Sequence, residues 1–290
     1  DDIRILITGA SGFVGKHLVA EAQSQGHEVF ELKGRSDGGG DLSEPGIFAA
    51  ALGEASPELV FHMAACASVA ESWQNPAAAI DGNLQQTSQV LTAVRDADSP
   101  PALVLASSGE IYGRPAELPV TESAPLQPLS PYGVGKAACD LLAGQFADAH
   151  GLRILRARAF NQIGPGQDQR YAVASFTRQL AAGINAGQNS VEIVTGNPDS
   201  KRDYTDVRCV AKAYLRLAES APSGVYNVCS GHAVSVQELL AALESATGVS
   251  VTQRVNPELV RSVEVPKIYG STALLAETTG WTPQIPLHQT

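Results

Sequence analysis

The feature that most constrains the fold is a run of apolar, β-branched residues that leads directly into three evenly spaced glycines. Residues 3–8 read IRILIT and predict a buried strand, and Gly9, Gly12 and Gly15 follow before a helical pattern. Glycines at such positions let backbone N–H groups approach a pyrophosphate at the N-terminus of a helix. The order of strand, loop and helix therefore predicts a dinucleotide-binding βα unit.

Strand and helix patterns alternate through the first 160 residues, which is typical of a parallel sheet with helices on its faces. Further strand patterns are found at residues 27–32, 59–65, 102–106 and 153–158, and long helix patterns at 76–97 and 131–150. Right-handed connections between such units give an α/β, doubly wound parallel sheet of the NAD(P)-binding Rossmann type. We therefore predict a dinucleotide-binding Rossmann domain over residues 1–160.

The pattern changes after residue 160, where the predicted elements become shorter. Residues 159–166 are expected to form turns. Later helix and strand patterns are found at 175–186, 191–194, 207–220, 224–229 and 236–247. We predict that residues 161–290 mainly form a smaller C-terminal α/β domain that binds the substrate. Some of its segments are expected to return to the Rossmann domain.

Composition argues against several classes of function. The chain of 290 residues carries a net charge of −10, which disfavours general binding to nucleic acid or to a membrane surface. No apolar run approaches the roughly 18 residues that span a bilayer, and we expect no secretory signal. The four cysteines are widely scattered, so we expect no metal site and no disulfide framework, but buried thiols in a reducing cytoplasm.

A tyrosine and a lysine four residues apart are the first candidates for chemistry. Ser130 and Pro131 suit the N-cap and first position of a helix, which places Tyr132 and Lys136 on one face. An ammonium group beside a phenol favours the phenolate and lowers its pKa, so that protons can be exchanged near neutral pH. Ser108 stands at the end of a predicted strand, where its hydroxyl could bond a reacting oxygen. The same Tyr–Lys spacing also occurs on ordinary amphipathic helices.

Residues near the predicted strand ends indicate the type of cofactor. Lys33 and Arg35 follow the second strand, where cations suit a ribose 2′-phosphate. NADP(H) is therefore favoured, with NAD(H) as the alternative and solvated loop charges as the simpler interpretation. Asp41 and Leu42 are expected to flank the adenine ring. His62, at the end of the third strand, is interpreted as a packing residue rather than a base.

The motifs together resemble the extended short-chain dehydrogenases/reductases that act on nucleotide sugars. The family's pattern is matched by TGASGFVG (8–15), YGVGK (132–136) and RDYTDV (202–207), and the resemblance covers nearly the whole chain. Closer similarity to the reductases of GDP-4-dehydro-6-deoxy-D-mannose, which form GDP-D-rhamnose, is carried by SSGEIYG (107–113) and FNQIGPGQ (160–167). The resemblance implies NADP(H)-dependent reduction of the C4 keto group of a nucleotide-linked 4-keto-6-deoxyhexose.

The resemblance also implies a role for each matching residue. Ser108 would bond the C4 carbonyl oxygen, Tyr132 would donate its proton, and Lys136 would bind the nicotinamide ribose and hold the pKa of the tyrosine down. Arg202 and Arg261 would bind the diphosphate or ribose of the nucleotide sugar, with a surface ion pair as the alternative for each. The implied cofactor-binding residues are Gly9, Ser11, Gly12, Phe13, Val14, Gly15, Lys33, Arg35, Asp41, Leu42, Met63, Ala64, Ala65, Tyr132, Lys136 and Phe160. The implied substrate-binding residues are Ser107, Ser108, Glu110, Tyr132, Asn161, Arg202, Arg261 and Glu264.

Glu110 leaves a dehydratase open as the alternative. Dehydratases of this family keep a polar or acidic residue followed by Glu just after the catalytic hydroxyl, and here Gly109 occupies the first of those positions. We therefore favour a GDP-sugar reductase over a GDP-mannose 4,6-dehydratase or another nucleotide-sugar epimerase or dehydratase. A non-catalytic cofactor sensor would typically lack Tyr132 or Lys136, and both are present. The nucleotide base stays open, and family analogy implies a homodimer.

Overall fold

The computed structural model describes residues 2–34, 40–65, 68–260 and 265–290. The described strands are β1 (Arg4–Thr8), β2 (Glu28–Leu32), β3 (Leu59–His62), β4 (Ala102–Ser108), β5 (Ile154–Ala159), β6 (Asn161–Ile163), β7 (Ser190–Thr195), β8 (Lys201–Arg202), β9 (Tyr204–Asp206), β10 (Gly224–Val228), β11 (Val234–Ser235) and β12 (Ser250–Val255). The described helices are α1 (Phe13–Ser24), α2 (Ile47–Ala55), α3 (Val69–Gln74), α4 (Pro76–Asp96), α5 (Pro131–His150), α6 (Ala172–Asn185), α7 (Val207–Ser220), α8 (Val236–Thr247) and α9 (Ala273–Thr279).

The central sheet has the strand order β10-β5-β4-β3-β1-β2 in the described ranges, and every neighbouring pair is parallel. β2 lies on one side of β1, whereas β3, β4 and β5 are added in turn on its other side. The order therefore reverses between β1 and β3, and such a reversal opens a crevice at the carboxyl ends of the strands. The predicted doubly wound Rossmann sheet is confirmed.

Helices cover both faces of this sheet because successive strand residues point to opposite sides. Ile5 and Ile7 of β1 pack with α1 and α7 on one face, whereas Leu6 packs with α2, α4 and α5 on the other. Full burial of each such aliphatic side chain stabilises the fold by about 1.5–3 kcal/mol. The short α3 packs on the same side as α4 and α5. Consequently, α1 and α3 stand on opposite sides of the crevice.

The C-terminal half builds small sheets beside the carboxyl edge of the main one. β7 pairs with β12, β6 with β9, and β8 with β11, around a core that includes Phe176, Ile193 and Leu239. The expected turn over residues 159–166 is wrong for its first part, where Ala159 is the last residue of β5. Asn161–Ile163 forms β6, because its residues pair in parallel with Tyr204–Asp206. β10 joins the central sheet, while the proposed domain boundary at residue 160 stays a prediction.

The helix that carries Tyr132 begins as its sequence predicts. Ser130 Oγ accepts a hydrogen bond from the backbone N–H of Gly133 at 3.0 Å, and Pro131 occupies the first helical position. Gly151 ends the helix in a left-handed conformation with φ of 64°. In the part of the chain that the structure describes, no helix combines the length and apolar character needed to cross a bilayer.

Candidate active site

The glycine loop between β1 and α1 leaves room that a side chain would fill. A Cβ added to Gly9 would lie 2.8 Å from the backbone nitrogen of Ala64, and one on Gly15 would lie 2.1 Å from the carbonyl oxygen of Gly9. Gly12 is the N-cap of α1 and has no side-chain acceptor for the N–H groups of the first turn. These backbone donors at a positive helix end fit the pyrophosphate of a dinucleotide. Ser11, Phe13 and Val14 lie in the same loop and first turn.

The ends of β2 and β3 place further cofactor candidates around this loop. Lys33 is exposed directly after β2, whereas Arg35 lies outside the described residues. The backbone N–H groups of Met63 and Ala64 donate to the carbonyl oxygen and the hydroxyl of Thr8, both at 3.2 Å. Residues 63–65 are therefore held against the end of β1, beside the glycine loop.

Asp41 and Leu42 differ in how open they are to a ligand. The Asp41 carboxylate accepts hydrogen bonds from the backbone N–H and the hydroxyl of Ser43, at 2.9 and 2.6 Å. The Leu42 side chain is buried and packs against the core that includes Phe48 and Leu52. Contact of this pair with an adenine ring stays a prediction.

The structure brings Ser108, Tyr132 and Lys136 together where β4 ends and α5 begins. The Tyr132 hydroxyl hydrogen-bonds the Ser108 side chain. Ser108 Oγ also accepts from the backbone N–H of Glu110 at 3.2 Å, and Lys136 Nζ donates to the carbonyl oxygen of Ala106 at 2.8 Å. All three side chains are buried. A polar atom entering this corner would meet the hydroxyl groups of Ser108 and Tyr132.

The environment of Tyr132 favours the protonated phenol. Burial raises its pKa most strongly, the hydrogen bond from Ser108 lowers it, and the charge of Glu110 together with Tyr171 and Tyr214 raises it further. Because burial dominates, the pKa of Tyr132 lies above its ordinary value rather than below it as the sequence predicts, whereas the contribution of Lys136 itself stays a prediction. A phenol that keeps its proton at neutral pH is suited to donating that proton to a substrate oxygen.

Ser107 has a different partner from its neighbour. Its hydroxyl donates to the Asp140 carboxylate at 2.7 Å, inside the protein. Asp140 also accepts from the Arg158 guanidinium, and Arg158 donates to the Tyr112 hydroxyl at 3.0 Å. Adjacent strand residues point to opposite faces, which separates Ser107 from Ser108. The expected substrate contact of Ser107 is thus replaced by a role in a buried network, and sequence reasoning missed Asp140 and Arg158.

His62 packs in the core, in agreement with its interpretation from the sequence. Its ring nitrogens lie 2.8 Å from the Thr8 hydroxyl and 3.3 Å from the Thr87 hydroxyl. Burial, and to a lesser extent the charge of Lys136, lowers its pKa to about 3. The imidazole is therefore neutral at physiological pH and serves to join β1, β3 and α4.

Phe160 forms a wall beside the catalytic corner. Its ring stacks on Tyr112 with centroids 6.2 Å apart. A Cβ on Gly109 would lie 3.1 Å from the Phe160 ring, and one on Gly270 would lie 2.7 Å from it. Any side chain at position 109 would therefore press on this ring. Glu110 comes next, half-buried, and its charge acts on Tyr132.

The remaining substrate candidates lie on β6, on β8 and in the C-terminal segment. Asn161 is exposed, and its backbone N–H donates to the carbonyl oxygen of Asp203 at 3.0 Å. Arg202 is half-buried and donates to the carbonyl oxygen of Lys201 at 3.0 Å. Arg261 and Glu264 lie outside the described residues.

Asp203 is a further residue that sequence reasoning did not assign. Its buried carboxylate accepts from the backbone and hydroxyl of Ser230, both at 2.7 Å, and from the backbone N–H groups of Gly231 at 3.0 Å and Gly270 at 3.3 Å. The RDYTDV motif could have indicated this role, because its Asp203 lies between two short strands, where backbone N–H groups are available as donors. Asp203 thereby fixes the floor behind Phe160.

Similar proteins are known along the full length of the chain. A family model described as GDP-mannose 4,6 dehydratase matches residues 6–290. The GDP-6-deoxy-D-mannose reductase of Pseudomonas aeruginosa is 37% identical over an alignment of 294 positions, gaps included, which covers 99% of this chain and 94% of the relative. The solved structure of RMD from Pseudomonas aeruginosa complexed with NADPH has a TM-score of 0.87 at 35% identity, covering 99% of this chain and 94% of that chain. UDP-glucose 4-epimerase of Thermotoga maritima, solved with UDP-glucose, has a TM-score of 0.88 at 27% identity, covering 98% and 95%.

Proposed function

The chain belongs to the GDP-mannose 4,6 dehydratase family of extended short-chain dehydrogenases/reductases, and on that basis we propose that it is a nucleotide-sugar 4-ketoreductase. It uses NADP(H) to reduce the C4 keto group of a nucleotide-linked 4-keto-6-deoxyhexose. The proposed substrate is GDP-4-dehydro-6-deoxy-D-mannose, and the product is GDP-D-rhamnose. Support for the GDP-linked sugar comes from the reductase of Pseudomonas aeruginosa, with which the similarity extends over both chains.

The observation that carries this proposal is the hydrogen-bonded pair of Ser108 and Tyr132. Reduction of a ketone leaves a negative oxygen that must be stabilised and protonated. Ser108 supplies a hydrogen bond to that oxygen, and Tyr132, whose pKa burial raises, supplies the proton. Lys136 would hold the ribose of the cofactor beside the phenol. NADP(H), when bound there, would supply the hydride for C4.

The residues of the crevice support a phosphorylated dinucleotide. The glycine loop takes the pyrophosphate, as its missing side chains and the uncapped first turn of α1 permit. Lys33, exposed after β2, suits the extra phosphate of NADP(H). The similar structure from Pseudomonas aeruginosa holds NADPH, whereas an epimerase structure from Thermus thermophilus with 30% identity holds NAD. NAD(H) is therefore the alternative cofactor.

A 4,6-dehydratase is the second candidate, and Glu110 together with the family description favours it. Position 109 argues against it. The dehydratase pattern places a polar or acidic residue at this position. In this chain the Phe160 ring packs against Gly109, so that the Cβ of such a residue would lie only 3.1 Å from the ring. Gly109 and Phe160 therefore fit a site that lacks part of the dehydration machinery. An epimerase would share the Ser–Tyr–Lys group, and product analysis separates it from a reductase.

The test is the consumption of reduced cofactor with GDP-4-dehydro-6-deoxy-D-mannose, with NADPH and NADH compared. We expect wild type to form a GDP-6-deoxyhexose, and Tyr132→Phe to lower kcat by about 10²–10⁴-fold because the proton donor is lost. Tyr226→Phe is the matched control, since that hydroxyl donates to the carbonyl oxygen of Pro222 outside the site. Conversion of GDP-mannose to a keto sugar without net cofactor use would instead establish the dehydratase.

We further propose that the enzyme is a cytoplasmic homodimer. Large apolar side chains are exposed on α3 and α5, with Trp73 at 55% and Leu141 at 59% exposure. Large apolar side chains exposed on neighbouring helices are often covered by a contact between subunits. The free, buried thiols of Cys139, Cys209 and Cys229 fit a reducing compartment. Light scattering of wild type and Leu141→Glu tests the dimer, which the added charge should weaken.

A further inference from the structure

The segment that connects β6 to α6, residues 164–171, touches helices on both faces of the central sheet. We call it the strap. Near its start, His17 Nε2 on α1 donates to the carbonyl oxygen of Pro165 at 2.9 Å. Near its end, the Arg170 guanidinium donates to the Glu71 carboxylate on α3. These contacts join segments that are 148 and 99 residues apart in the chain.

The two attachment points lie on opposite walls of the crevice. α1 follows β1 and α3 follows β3, and these neighbouring strands mark the place where the strand order reverses. A dinucleotide binds outside the carboxyl ends of the strands at such a reversal. A segment that is held by α1 on one side and by α3 on the other therefore crosses the mouth of the dinucleotide site.

The strap has internal order that keeps Arg170 directed at α3. The Asp168 carboxylate accepts from the backbone N–H of Arg170 at 2.8 Å and from its guanidinium at 3.1 Å. Gln167 Nε2 donates to the carbonyl oxygen of Gln162 at 2.7 Å, which anchors the base of the strap on β6. Directly after Arg170, Tyr171 is close enough to act electrostatically on Tyr132. The strap thus spans from the glycine loop to the catalytic corner.

We propose that residues 164–171 close over the bound dinucleotide and that the Arg170–Glu71 ion pair is the latch, so that cofactor leaves after this pair opens. The proposal rests on the dinucleotide part of the proposed function and is independent of the sugar. Both partners of the latch are largely exposed, at 59% and 47%, so solvent competes for each of them. A weak, exposed ion pair is suited to a contact that must open in every catalytic cycle. Gly166 has a φ of 84° and no neighbouring atom within 4 Å of an added Cβ, so the strap is free to move near its start.

The latch is tested by the release of NADPH from Glu71→Gln, Arg170→Gln and the double variant, followed by stopped-flow fluorescence without sugar. We expect each single variant to release NADPH about 1.5–5-fold faster than wild type, the range of an exposed ion pair. The double variant should be no faster than the singles, because both remove the same contact. The matched control is Arg216→Gln, which removes the exposed pair with Glu219 on α7 and should release NADPH at the wild-type rate.

A second readout does not depend on the cofactor. Amide hydrogen exchange of residues 164–171 in the unliganded protein should be faster in both single variants and unchanged in Arg216→Gln. NADPH should slow exchange of these residues in wild type more than in the variants. Three results would each overturn the latch. The first is NADPH release at the wild-type rate in both single variants, and the second is an additive effect in the double variant. The third is a lack of protection of residues 164–171 by NADPH. Failure of wild type to bind NADPH would overturn it too, whereas the choice of sugar leaves these measurements unaffected.

Discussion

The Asp140 carboxylate on α5 accepts hydrogen bonds from two nitrogens of the Arg158 guanidinium on β5, at 3.0 and 2.8 Å. Both side chains are buried, with 0% and 4% of their residue surface exposed. Arg158 continues to the Tyr112 hydroxyl, which donates to Asn227 on β10 at 2.7 Å. The pair therefore fixes α5, and with it the catalytic tyrosine and lysine, on the sheet.

Removal of one partner of this pair should be costly. Asp140→Ala leaves a buried guanidinium uncompensated, and we expect the free energy of unfolding to fall by about 3–5 kcal/mol. Asp140→Leu combined with Arg158→Met should cost less than the sum of Asp140→Leu and Arg158→Met alone, since no fully buried charge remains unpaired. Arg156, which also pairs with Asp140 at 3.3 Å, is 20% exposed and can be solvated. Urea unfolding of wild type, Asp140→Ala, Asp140→Leu, Arg158→Met and the double variant measures these losses, and additive losses in the double variant would show that the charges act separately.

Ser107 and Ser108 offer a matched pair of neighbouring hydroxyl groups. Ser108→Ala should lower kcat by about 10–100-fold with little change in stability, because it removes a hydrogen bond to the reacting oxygen. Ser107→Ala should keep kcat within about twofold while the unfolding free energy falls by about 1–3 kcal/mol, since Asp140 loses a buried donor. Kinetics and urea unfolding on both variants check the assignment, and equal kinetic losses would contradict it.

The strands of the central sheet could be predicted from the sequence because most are continuous apolar runs, and the long helices because their apolar residues recur with helical spacing. Ser130 and Pro131 located the start of α5 because caps act locally. In contrast, the side-chain contacts of Asp140 and Asp203 link residues 16 to 67 positions apart, and nothing in the local sequence indicates which partner each carboxylate meets. β6 was missed for the same reason, since its three residues become a strand only by pairing with β9.

Glu110 distinguishes the reductase from the dehydratase. Its charge raises the pKa of Tyr132, so Glu110→Gln removes a contribution that is smaller than that of burial. Tyr132 should remain protonated, and kcat for the 4-keto sugar should stay within about tenfold of wild type if no base is needed at this position. The comparison is made with reduced cofactor at saturating sugar. A dehydratase would lose turnover of GDP-mannose in the same variant.

The buried imidazole of His62 should make stability depend on pH. The pKa is about 3 in the folded protein and about 6.5 in the unfolded chain, so the unfolded state binds the proton first as pH falls. The stabilisation is complete above pH 6.5 and is lost progressively between pH 6.5 and about 3. From pH 7 to pH 5 the loss amounts to roughly 2 kcal/mol. Urea unfolding at both pH values should show a shallower loss in His62→Gln, and an unchanged loss would exclude His62 as its source.

Two glycines test the shape of the cofactor loop. Gly15→Ala places a Cβ against the Gly9 carbonyl oxygen, so the loop must shift and NADPH affinity should fall at least tenfold. Gly53→Ala on α2 is the control, because an added Cβ there has no neighbouring atom within 4 Å. Since alanine favours a helix over glycine, this change should stabilise the protein by up to about 1 kcal/mol. Fluorescence titration with NADPH and thermal unfolding measure the two effects. Unchanged affinity in Gly15→Ala would place the pyrophosphate elsewhere.

The position of β10 has a consequence for how the chain is made in the cell. This strand, residues 224–228, pairs with β5, which is synthesised much earlier. Until it emerges from the ribosome, β5 has an open edge, and such edges invite pairing with other nascent chains. At ordinary synthesis rates the exposure lasts several seconds. The sheet is therefore completed late in translation. A chain that ends before residue 224 keeps the edge of β5 exposed and is expected to bind chaperones.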